Sequence, residues 1–195
     1  VDSGDFVDYD LQDWIDLRDE LEFLSNLFSL SHKFNKMITI RTKEWFDSNG
    51  NTYFSADVYL NSDLIMSMPM QYGYSEHCRQ VFEMAFCKHF KIDYQNTPGW
   101  VVRETLGKNG IKISVSTRDV KKRDLNKGGA FQDFSAFTKP ENLALYAAHR
   151  MREGIVLNHP VMENVFIDWL TPDAIGVTLS DGSNELLPFS AFNWF

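Results

Sequence analysis

The segment 37–74, MITIRTKEWFDSNGNTYFSADVYLNSDLIMSMPMQYGY, constrains the fold more than any other stretch, because strand and turn signals alternate along it without conflict. Ile38 and Ile40 alternate with Thr39 and Arg41. Asp47-Ser48-Asn49-Gly50 then supplies residues that tolerate positive φ, and Phe54, Ala56, Val58 and Leu60 alternate again, which predicts a β-hairpin. Asn61-Ser62-Asp63 makes a second turn, and 64–70 predicts a third strand that stops at Pro69, whose missing N–H suits a strand end or edge. The expected unit is a three-stranded antiparallel meander.

A helix is expected over 75–90, with Ser75 as its cap and Cys78, Val81, Phe82, Ala85, Phe86 and His89 on the side that lies across the meander. Residues 100–106 and 111–117 predict a second hairpin around Gly107-Lys108-Asn109-Gly110. The polar stretch 119–129 ends in Gly128-Gly129 and reads as a linker. Beyond it Pro140 opens a helix that Gly154 stops, Asn158-His159-Pro160 turns the chain, and strands are expected at 164–170, 174–179 and 185–189. The terminal Ala191-Phe192-Asn193-Trp194-Phe195 must pack to cover its aromatic rings. Upstream, Leu11, Trp14, Ile15, Leu17, Leu21, Leu24 and Phe28 fall on one helical stripe that Asp10 can cap. The predicted class is α+β. It comprises an acidic arm and amphipathic helix at 1–36, an α+β domain at 37–118, a linker at 119–129, and a small helix-plus-three-strand domain at 130–195.

Charge is distributed regionally. Of the net −8, residues 1–22 hold nine acids against Arg18, which accounts for all of it, and the remainder sums to zero. Within that remainder 101–128 carries eight basic residues against three acidic, or +5, and 129–195 carries three against eight, or −5. Partners are therefore predicted region by region.

Catalytic signals are weak. Cys78 and Cys87 are the only cysteines, too few for a disulfide framework, which points to a reducing compartment. His32, His77, His89, His149 and His159 form no metal spacing, and Gly107-Lys108-Asn109-Gly110 lacks the Lys-Ser/Thr of a phosphate loop. The carboxylates of 1–22 sit on an element with nothing to raise a pKa. No catalytic residue, metal or cofactor is expected. No apolar run approaches the ~18 residues of a membrane span, and 1–22 lacks the basic and apolar regions of a signal peptide, so the expected location is the cytoplasm.

Trp45-Phe46-Asp47-Ser48-Asn49-Gly50-Asn51-Thr52-Tyr53-Phe54-Ser55-Ala56, followed by Met68-Pro69-Met70-Gln71-Tyr72-Gly73-Tyr74, resembles a hairpin and P-F-Q-Y-G-Y-G-like segment of small uncharacterised proteins encoded by tailed bacteriophages. The resemblance covers 37–75, and the chain departs from it with Met70 in place of an aromatic residue and Ser75 in place of the last glycine. It implies a viral origin and supplies no catalytic residues.

The function expected first is a phage accessory protein that binds and modulates or inhibits a host defence or nucleic-acid-processing protein. Its surface would be Asp10, Asp13, Asp16, Asp19 and Glu20, whose carboxylates at helical spacing imitate a row of phosphates. The alternative is a nucleic-acid-binding accessory protein that uses Lys108, Lys112, Arg118, Lys121, Lys122 and Arg123, with Trp100 stacking on a base. In that case the acidic arm would dock on the basic segment of its own chain, or of a second copy in a homo-oligomer. A virion structural or assembly role comes third.

Overall fold

The computed structural model describes residues 36–195 apart from Ser180, together with Arg18, Glu22, Ser25 and Asn26, which are helical and exposed. Most of the expected acidic arm lies outside the described residues.

The protein is α+β, and the meander is its centre. Strands β1 (Lys36–Phe46), β2 (Thr52–Leu60) and β3 (Asp63–Tyr72) pair antiparallel, with Ile38 opposite Leu60 and Ile40 opposite Val58. The first turn forms because the Asp47 carboxylate accepts the Asn49 and Asn51 N–H groups, each at 2.8 Å, while Gly50 takes φ +81°. Strand β3 does not stop at Pro69. Its partner register jumps from Ala56–Met68 to Phe54–Gln71, so Pro69 and Met70 face the single residue Ser55 in a bulge, where a ladder N–H is not required.

Helix α1 (Ser75–Phe90) follows as expected, although Tyr74, not Ser75, is the residue flanking its start. It buries Cys78, Phe82, Phe86 and Cys87 against the sheet. The expected second hairpin is absent, because 100–106 is helical. Helix α2 (Pro98–Lys108) has Pro98 in its first turn and buries Val102 and Leu106, four residues apart on one face. Strand β4 (Ile111–Asp119) then pairs parallel with β1, with Ile38 opposite Ile113, a geometry that demands a crossover element and excludes a hairpin turn. Gly110 makes the bend at φ +69°. Strand β5 (Phe131–Gln132) closes the far edge, giving the order β4-β1-β2-β3-β5.

Helix α3 (Pro140–Glu153) ends at Gly154 in the left-handed conformation. The expected strand 164–170 is split. Its first part, β7 (Glu163–Val165), pairs with β6 (Leu157–His159), and its second, β8 (Trp169–Leu170), joins β9 (Ala174–Thr178) and β10 (Asn184–Pro188). At the break the Asp168 carboxylate accepts the Thr178 N–H at 2.6 Å, in place of a strand carbonyl. The turn after β6 begins at Pro160, two residues later than expected, with His159 Nδ1 accepting the Val161 and Met162 N–H groups.

The stretch 119–129 is not a linker. Leu125 is 3% exposed. The Val120 N–H donates to Glu44 O, the Asn126 N–H to Ser55 Oγ, Asn126 Nδ2 to Ser67 Oγ, and the Met70 N–H to Asn126 O. The segment is a strap that runs from the β4 edge across β1 and β2 to β3. Nor does the core divide there, since Phe134 and Phe137 pack on Phe82 and Phe86, and Phe195 packs on Phe86, Phe90 and Tyr146. The two-unit division is corrected accordingly: apolar side chains on both sides of 129 fill one cluster. Limited trypsin digestion of the native protein should therefore not release separate resistant fragments of about 120 and 70 residues through cleavage after Lys121, Lys122, Arg123 or Lys127. Early accumulation of that pair on a gel would contradict the strap.

Candidate functional site

Strand alternation gives the large sheet two unlike faces. One carries Ile38, Ile40, Phe54, Ala56, Val58 and Leu60 into the core. On the other, the register aligns Ser114, Thr39, Tyr59 and Leu64 in one row, then Ser116, Arg41, Asp57 and Ser67, then Arg118, Lys43 and Ser55. A fourth row sets Trp45 beside Tyr53 at 5.3 Å between ring centroids, and Tyr53 beside Tyr72 at 5.7 Å. Among the described residues only the strap crosses this face, and it does so at the aromatic end, where Lys122 Nζ stands 5.0 Å over the Trp45 ring.

The open part is a shallow depression of about 450 Å³ lined by Arg41, Lys43, Asp57, Tyr59, Ser116 and Arg118. The Arg41 guanidinium lies 4.8 Å over the Tyr59 ring centroid, a cation–π contact. Asp57 is the acidic residue in these rows, and its carboxylate accepts the Ser67 hydroxyl at 2.7 Å, which the Asn126 amide in turn fixes at 2.9 Å. None of Arg41, Lys43 and Arg118 forms an ion pair with another described residue. Among the described residues the surface therefore presents cations outside any ion pair next to aromatic rings on a rigid support, a combination suited to a polyanion with planar groups.

The residues expected to bind nucleic acid are only partly gathered here. Arg118 and Lys122 lie on this face, and Lys112 stands on its row with Met37 at the opposite end. Lys121 and Arg123 are exposed on the strap, and Arg123 is 3.7 Å from Asp124. Lys108 is not on the face: it ends α2 and pairs with Glu104 at 2.9 Å. Trp100 is likewise on α2, in the helical layer, and 62% exposed. Arg41, Lys43, Trp45, Tyr53 and Tyr59 were missed, although the period-two alternation that predicted the hairpin already put all five on its outward side. Asp10, Asp13, Asp16, Asp19 and Glu20 lie outside the described residues.

Burial pushes the Cys78 and Cys87 thiols up, and Cys78 Sγ contacts Thr42 Oγ1 at 3.0 Å. Among the described residues no group of His, Cys, Asp and Glu side chains is placed to hold a metal ion. No described helix is long and apolar enough to cross a membrane. No protein-family model, curated protein or solved structure matches the chain.

Proposed function

We propose that the protein is an accessory protein, of the tailed-phage kind its hairpin resembles, that binds single-stranded nucleic acid across the open sheet face in the host cytoplasm. The observation that supports this most is the juxtaposition of Arg41, Lys43 and Arg118 with Tyr59 in one depression. Phosphates meet the cations, and a base stacks on the tyrosine, a mode indifferent to sequence because every base has a π-face. A duplex offers no unstacked base to such a surface and is expected to bind more weakly.

Fluorescence anisotropy with labelled single-stranded DNA and RNA tests this in low salt. Replacing Arg41, Lys43 and Arg118 together with Ala should flatten the dependence of log K on log salt by about 2, at about 0.7 per phosphate contact. Tyr59→Ala should weaken binding by about 1–3 kcal/mol with little change in that slope. Absence of binding by the full chain and by a variant with Asp13, Asp16, Asp19 and Glu20 changed to Asn or Gln would sink the proposal, since the second protein lacks four of the charges that repel a polyanion.

The acidic segment supports a second reading, in which Asp10, Asp13, Asp16, Asp19 and Glu20 engage a basic surface of a host protein. It rests on nine acids against one arginine in 1–22. The same charge-neutralised variant separates the two, because it should strengthen nucleic-acid binding but slow association with a protein partner.

A further inference from the structure

A second basic site lies where β1 begins, α2 turns into β4, and α3 passes beside both. It is a pocket of about 300 Å³ with Lys36, Lys112, His149 and Arg152 in its wall, and Gly110 and Tyr146 between them. Lys36 is 4% exposed although it carries an ammonium group. Its Nζ donates to Asn142 Oδ1 and sits 4.8 Å over the Tyr146 ring, so a neutral amide and a π-face are its close partners. Glu141 supplies a carboxylate field from the start of α3, but burial outweighs it and lowers the amine to about 8. The amine thus remains mostly protonated at neutral pH in surroundings that disfavour the charge, which marks a position held for something other than stability.

The other walls agree. Tyr146 is 0% exposed, and its hydroxyl has no hydrogen-bond partner among the described residues. A buried hydroxyl left unpaired is costly unless a ligand or water reaches it. Arg152 is exposed and contacts His149 Nδ1 at 3.0 Å, which orients the ring beside Gly110. A Cβ at Gly110 would lie 3.0 Å from that ring, and φ there is +69°, so backbone and imidazole meet only because the residue is glycine. The C-terminal carbonyl end of α2 faces this junction and would repel an anion. Lys36 at the inner end and Arg152 at the rim, the latter also paired with Glu153 at 2.9 Å, oppose the roughly half charge of that helix end.

We propose that this pocket binds a terminal phosphomonoester, with Lys36 as its inner charge partner and Arg152 at its rim. A phosphate dianion supplies the ion-pair partner that Lys36 lacks among the described residues and acceptor oxygens for the Tyr146 hydroxyl and the ammonium group. The volume leaves room for a small organic group beyond the phosphate, and the phosphate itself can come from a free metabolite or from the 5′ end of a nucleic acid. The inference rests on this pocket alone and stands whether or not the sheet face binds nucleic acid.

Backbone amide NMR of the full chain, titrated with inorganic phosphate, glycerol 3-phosphate and glycerol, tests it. Saturable shifts should centre on Lys36, Gly110, Lys112 and His149 with both phosphates and be absent with glycerol. Lys36→Met, which replaces a buried ammonium with an apolar chain of similar length, should fold and lower the affinity by at least about tenfold. Arg152→Gln, at an exposed position, should lower it several-fold without touching the interior. A 5′-phosphorylated oligonucleotide that shifts these amides where its 5′-hydroxyl twin does not identifies nucleic-acid ends as a source; equal behaviour of the twins assigns the pocket to free phosphomonoesters. Shifts that are absent, scattered over the basic surface, or unchanged by both substitutions would overturn the proposal.

Discussion

Arg150→Met should lower the stability of the folded chain by about 2–5 kcal/mol, because it strips buried acceptor oxygens of their donor at about 1–3 kcal/mol each. Arg150 is 5% exposed. Its Nε donates to Asn109 Oδ1 at 2.8 Å, Nη1 to Val156 O at 3.0 Å, and Nη2 to Trp194 O at 3.0 Å. Asn109 completes the network by donating to Trp194 O at 2.9 Å. One guanidinium thereby ties α3 to the turn after α2, to the approach to β6 and to the C-terminal aromatic segment. Burial lowers its pKa only to about 10, so the cation persists at neutral pH, satisfied by neutral oxygens. Methionine fills the volume but leaves the Asn109 and Val156 oxygens without this donor. Arg150→Lys should be intermediate, because an ammonium cannot reach three divergent acceptors. Urea denaturation followed by far-UV circular dichroism measures the difference; a loss below about 1 kcal/mol for the methionine variant would mean that the network relaxes onto water.

A comparable loss, about 3–5 kcal/mol, is expected for Phe86→Ala. The Phe86 ring is 0% exposed and has Phe90 at 4.7 Å, Phe137 at 5.2 Å, Phe195 at 5.6 Å and Phe134 at 6.1 Å between centroids. These neighbours come from α1, from the turn before α3 and from the end of the chain, so the cavity cannot be closed by moving one element. Because the cluster spans the position where a division was expected, the variant should still unfold in one transition with its midpoint displaced. Two transitions, only one of them sensitive to the substitution, would show that the regions before and after 129 are energetically separate.

The sheet was legible where residue chemistry alone decides the outcome. Asp47-Ser48-Asn49-Gly50 admits few conformations other than a turn, and the alternation on either side fixed which residues face the core. Helices α1 and α3 were legible for the same reason, with Pro140 and Gly154 bracketing the second. Residues 100–106 were misread, because Val102 and Leu106, four apart, satisfy a period of 2 as well as one of 3.6, whereas 111–117 is the strand expected but pairs in the parallel sense. The structure resolves the ambiguity at β1, whose long free edge is filled by β4 as a parallel strand after a crossover. The strap was misread because polarity was taken as solvation, whereas Asn126 spends its polar groups on Ser55 and Ser67. The candidate surface was half visible as the basic run 118–123. Its other half, Arg41, Lys43 and Tyr59, lies some 60 to 80 residues earlier and joins only through the β1–β4 register.

That parallel register also sets a timetable for synthesis. Ile40 pairs with Val115, so at roughly 5–20 residues per second β1 leaves the ribosome about 4–15 s before its second neighbour exists. Throughout that interval the meander can close on itself, but the other side of β1 is an unpaired edge bearing Ile38 and Ile40, a template for the same strand on an adjacent nascent chain. Arg41 and Lys43 stand in the middle of that edge, where like charges from two copies would be brought face to face in any such pairing. The cations that face outward in the finished sheet thus guard the unfinished one, and a variant lacking both should form more inclusion bodies during rapid expression than its folded-state stability would predict.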